Sequence, residues 1–151
     1  MVKRDPETYY LMVQKLFCSF MRDRSREQLE VFEKQRDDSD GTGDESDPPD
    51  IATDVETALT EFSNLRKEFS KQFERGANTF DLSDANLRKG KLQRVYLQGA
   101  CLRGAHLQEA ELWGSHLQGA DLLEAHLQKA NLWLADLKSA KLDKADLQEV
   151  L

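Results

Sequence analysis

Leucine occupies every fifth position from Leu82 to Leu147, fourteen times without interruption, and no other feature restricts the fold of this chain as severely. Two residues before each leucine stands a small or apolar residue: Phe80, Ala85, Gly90, Val95, Ser115 and, at the other nine positions, alanine. Two of every five residues therefore face inward. A period of five fits neither a helix at 3.6 nor a flat strand at 2, so the unit is a turn repeated along a solenoid.

A longer period lies over the first. Residues 115–134 repeat residues 95–114 at twelve of twenty positions. Five of those matches fall outside the leucine and alanine sites: Gln98 with Gln118, Gly99 with Gly119, His106 with His126, Gln108 with Gln128, and Trp113 with Trp133. Four pentads form the larger unit. If that unit is one coil, the cross-section is square with one leucine per side, equivalent residues stack at the ~4.8 Å strand spacing, and fourteen pentads make about 3.5 coils.

Ala85-Asn86-Leu87, Ala120-Asp121-Leu122, Ala130-Asn131-Leu132, Ala135-Asp136-Leu137 and Ala145-Asp146-Leu147 match the pattern A(D/N)Lxx outright. In these motifs the chain resembles the pentapeptide-repeat family. The resemblance implies a mainly β fold, a right-handed quadrilateral β-helix, over 80–151. Upstream, residues 10–24 and 48–65 are similar to a helical preamble found in many bacterial repeat proteins.

The first 79 residues follow different rules. Asp5-Pro6-Glu7 supplies an N-cap, a proline for the first turn and a carboxylate beside the helix dipole. Tyr9, Val13, Leu16, Phe17 and Phe20 then recur at helical spacing, predicting a helix over about 6–35 that buries this face. A second helix is expected over about 54–75, with Val55, Leu59, Phe62, Leu65, Phe69 and Phe73 on one side and Gly76 as its stop. The segment of about 37–52 between them lacks the apolar content to repay ordering and reads as a flexible acidic loop. Either the two α-helices cover the terminal edge of the solenoid, the favoured reading, or they form an amphipathic pair for a partner.

Charge narrows the function. The formal net charge is −7, but residues 37–54 alone carry eight carboxylates and no Lys or Arg. Without them the chain is close to neutral, so no clustered basic face for nucleic acid exists. Cys18 and Cys101 lie apart and away from ligand-spaced partners, which predicts free thiols in a reducing compartment. No run of eighteen apolar residues occurs and the N-terminus is charged, so the expected location is the cytoplasm, with no membrane segment in this chain.

Function has to sit on outward ladders, because an interior of leucine and alanine leaves no pocket for a substrate. Trp113 and Trp133, with Gln93 in the preceding coil, form an aromatic strip that marks a partner surface or lies beneath helix one or the acidic loop. His106 and His126 stack between Asn86 and Asp146, too few ligands for a metal site, and Gln108, Gln128 and Gln148 suggest a ladder of stacked amides. These four residues, Trp113, Trp133, His106 and His126, are the candidate partner-binding surface. No catalytic residues, metal or cofactor are assigned, and an enzyme is not expected.

The favoured function is a non-enzymatic scaffold for protein–protein interaction. The family resemblance brings one alternative, a DNA-mimicking inhibitor of DNA gyrase. Residues 80–151 hold ten Asp or Glu and nine Lys or Arg, a net of about −1, and provide no phosphate-like field. A metal or small-ligand site at the stacked histidines is the second alternative. The repeat is still in phase at Leu151, so either two chains pair through the C-terminal coil as a homodimer or the sequence is a piece of a longer one.

Overall fold

A computed structural model describes residues 12, 14–24, 27, 30, 31, 53–68 and 80–151. The acidic loop expected over about 37–52, the start of the first helix near Asp5 and the stop at Gly76 lie outside the described residues.

From Asp81 onward the backbone returns beside itself at an invariant interval. Ten parallel bridges, from Asp81 with Cys101 to His126 with Asp146, each join residues twenty apart. Every bridge is flanked by backbone hydrogen bonds, as where Leu82 N donates to Cys101 O at 2.8 Å and Cys101 N donates to Phe80 O at 2.9 Å. The bridges are isolated because the chain turns within each pentad. The amide two residues before the next leucine closes that turn on the carbonyl of the last one, as from Ala100 N to Leu97 O at 3.0 Å.

The turn demands a left-handed residue. All fourteen pentads place the residue preceding the small inward one at positive φ, four times with glycine (Gly99, Gly104, Gly114, Gly119) and ten times without, as at Arg94 with φ 56°. Left-handed geometry costs a non-glycine residue roughly 1–2 kcal/mol, so the stacked coils on either side must impose it. The Asp or Asn of the motif serves the same turn. Its side-chain oxygen accepts the amide hydrogen two residues on, from Asn86 to Arg88, Asn131 to Trp133, Asp136 to Lys138 and Asp146 to Gln148, at 3.0–3.3 Å.

The repeat leucines from Leu82 through Leu127 are all buried, and so are the small inward residues between them. Leu132, Leu137 and Leu142 are partly buried, and Leu147 is 44% exposed. The inward pattern read from the sequence is thus the core of the molecule.

Two helices pack at the other end. Helix α1 covers 14–24 and α2 spans Thr53–Glu68. On α2, Val55, Leu59 and Phe62 are buried as their spacing predicts; the side chain of Leu65 and residues Phe69 and Phe73 lie outside the described residues. On α1 the expected face is buried only in part: Phe17 packs on the core, but Leu16 and Phe20 do not. Gln14, Cys18 and Met21 are inside while Leu16 is 65% and Phe20 50% exposed; Tyr9 and Val13 lie outside the described residues. The reason is that residues 16–21 are apolar on nearly every side, so spacing alone does not select a face. The selection comes from Phe17, which stacks on Phe62 of α2 at 4.4 Å and faces Phe80 of the first coil at 6.0 Å, while Phe62 meets Phe80 at 5.2 Å.

Polar contacts complete the seal. In later coils the amide equivalent to that of Lys91 bonds to the coil before, as Glu111 N does to Gly90 O. Lys91 N instead donates to the Glu56 carboxylate of α2 at 3.0 Å, and Arg22 of α1 pairs with Asp81. The helices cover the first coil, which answers the need of a solenoid to protect a terminal edge.

Candidate functional site

The outward residues form ladders with a step of twenty. His106 and His126 are bridged, and their rings stack at 5.0 Å and 8°. Tyr96 and His116 stack at 4.4 Å and 13°. These separations bracket the distance between hydrogen-bonded strands, so the backbone sets them.

The glutamines act differently from stacked amides. Gln128 Nε2 donates to Asp146 at 2.6 Å and Gln118 Nε2 donates to Asp136 at 2.6 Å, each across one coil. The side-chain oxygens of Gln108, Gln118 and Gln128 accept no bond. A carboxylate is a stronger acceptor than a neighbouring amide, and it takes the glutamine. Asp136 also accepts the Lys138 amide, and that bond, then the one from Gln118, holds its carboxyl below the ordinary carboxylate pKa.

Trp113 and Trp133 occupy equivalent places. Arg94 N donates to Trp113 O and Gly114 N donates to Trp133 O, at 3.0 and 2.8 Å. Their rings do not pair with each other. The Arg94 guanidinium lies over the Trp113 ring, 4.7 Å from its centroid, and leaves Trp113 half-buried. Trp133 is 64% exposed beside Leu134, itself 70% exposed. On this strip Trp133 lies open to solvent. Arg94, Gly114 and Leu134 form the part of the surface that the sequence reading missed, although the twenty-residue alignment that pairs Trp113 with Trp133 also places Arg94 and Gly114 at one corner. His106 and His126 lie one pentad earlier, so the four candidate residues form two neighbouring ladders.

A second apolar surface appears at the start of α1 and just before it, where Met12, Leu16 and Phe20 are each about half exposed or more, at intervals of four. Cys18 and Cys101 are not joined in a disulfide; Cys18 is buried and Cys101 partly so. Among the described residues, no group of three His, Cys, Asp or Glu is placed to hold a metal ion, and no helix is long and apolar enough to cross a membrane.

A solenoid of five-residue turns bridged at twenty-residue intervals, with aromatic and imidazole ladders outside, defines a class of β-repeat protein. The family model for pentapeptide repeats in eight copies matches residues 81–112, 105–143 and 115–151, and the chain belongs to the pentapeptide-repeat family. A solved pentapeptide repeat protein from Nostoc Pcc 7120 is 34% identical, over 58% of this chain and 71% of that one, with a TM-score of 0.31. Another, from the cyanobacterium Cyanothece 51142, is 32% identical over 52% of this chain and 64% of that one, with a TM-score of 0.18. No curated protein matches the sequence.

Proposed function

We propose that this chain is a non-enzymatic binding scaffold: a right-handed, four-sided β-helix of about 3.5 coils that presents a rigid aromatic ladder to a protein partner. One observation carries the reading, the 64% exposure of Trp133 on a backbone whose amides are fixed coil to coil. Tryptophan at a fixed site offers large contact area with little side-chain entropy left to lose, a property shared by interface hot spots. The core supports a role without catalysis, since Leu102, Leu107, Leu112 and their alanine neighbours fill the interior. The balanced charge of residues 80–151 weighs against a DNA mimic.

The test is affinity capture with the native chain beside the double variant Trp113→Ala/Trp133→Ala, matched for melting temperature. A protein retained by the native chain and lost from the variant supports the scaffold. Identical retention by both removes the ladder from the binding surface. A gyrase supercoiling assay on the same preparation separates the alternative, because inhibition at micromolar protein would make the chain a topoisomerase regulator. Light scattering on that sample tests the expected pairing of two chains through the last coil.

A further inference from the structure

We propose that the face of Trp133 is a seat for a guanidinium, and that the partner protein fills it with an arginine side chain. The inference rests on the scaffold reading and gives its contact a chemistry. The molecule contains its own precedent one coil earlier. Arg94 leaves its corner at φ 56° and lays its guanidinium over Trp113, 4.7 Å from the ring centroid. The corner repeats at Gly114 with φ 65°, and the bond from Arg94 N to Trp113 O repeats from Gly114 N to Trp133 O. Backbone and ring are therefore set for the same stacking twice. At the second place glycine supplies no side chain, and the Trp133 ring makes no aromatic or cation contact among the described residues.

The adjoining ladder carries one carboxylate next to the Trp133 coil, with its cation, Lys91, one coil further away and bridged to Glu111. Glu111, whose carboxylate accepts Asn131 Nδ2 at 3.2 Å, is bridged to Asn131, and these two residues precede the two tryptophans by two positions each. Asn131 Oδ1 in turn accepts the Trp133 amide hydrogen at 3.1 Å and fixes the start of its turn. An indole face attracts a cation through its quadrupole, and a planar guanidinium adds stacking that an ammonium lacks. Leu134, 70% exposed at the next corner, offers apolar contact for the methylene stem of an arriving arginine.

The experiment is an indole Nε1–H titration by two-dimensional NMR on the full chain with N-acetyl-arginine amide, and with N-acetyl-citrulline amide at equal ionic strength. The Trp133 resonance should shift with the arginine compound and much less with citrulline, while Trp113, already covered, stays in place. Arg94→Ala should make Trp113 respond in the same manner. Gly114→Arg should suppress the Trp133 response from within; its added Cβ meets the Arg94 Cγ at 3.3 Å, and the strained positive φ is one that ten non-glycine corners of this solenoid already hold. Equal shifts for arginine and citrulline, equal responses of both tryptophans in the native chain, or no shift of Trp133 would overturn the seat. Such a result, combined with capture that still depends on Trp133, would leave the scaffold standing without the guanidinium.

Discussion

Each pentad carries its structural demands on individual residues, and they can be tested one at a time. Leu112 is almost fully buried in a middle coil whose neighbours are pinned above and below. Leu112→Ala should cost ~2–5 kcal/mol because the cavity cannot collapse, whereas Leu147→Ala, at 44% exposure, should cost clearly less in the same denaturant titration. Gly119 isolates the price of left-handed geometry, since a Cβ added there meets nothing within 4 Å. Gly119→Ala should lose about 1 kcal/mol and Gly119→Val more, as a branched side chain tolerates positive φ worst. Asp136 adds a pH signature. Its folded pKa is lowered by the Lys138 amide and by Gln118, so its contribution is present above the unfolded value of 3.8 and is lost as pH falls through and below it. Thermal melts of the native chain and Asp136→Asn should differ at neutral pH and converge in acid.

At the scale of elements, the aromatic contact of Phe17, Phe62 and Phe80 joins both helices to the first coil. Phe62→Ala should destabilise by ~3–5 kcal/mol, read by chemical denaturation. Glu56→Ala should act more locally. Water replaces the carboxylate at Lys91 N, so global stability should change by less than about 1 kcal/mol, while hydrogen exchange at that amide accelerates and exchange at Glu111 does not. These contacts mark the limit of what the sequence discloses. The solenoid core was legible because each leucine repeats a local rule five residues on, and the His106–His126 pair because twenty residues bring like beside like. The bond from Lys91 to Glu56 joins two segments by no repeat, and the inward face of α1 depends on a partner ring at Phe62. Arg94 over Trp113 was legible in principle, through an offset of nineteen rather than twenty.

At the scale of the molecule, the acidity of the chain and the character of its solenoid part company. Eight carboxylates lie within residues 37–54, and the repeat that carries the proposed binding face is almost balanced in charge. Recognition by that face should therefore depend on contacts at the ring itself, the proposed cation–π contact included, rather than on a long-range field, and respond modestly to salt. The coil also obeys two reading frames. Its core is read in fives and its surface in twenties. A deletion of five residues, such as 116–120, leaves every leucine inward but turns all later side chains onto the neighbouring side, so that Trp133 no longer stands above Trp113. A deletion of twenty, 101–120, keeps both frames and brings Trp133 to the place beside Arg94 that Trp113 now holds. Descent by duplication of single turns would thus conserve the rod and scramble its message, and only whole coils could be copied with their meaning intact.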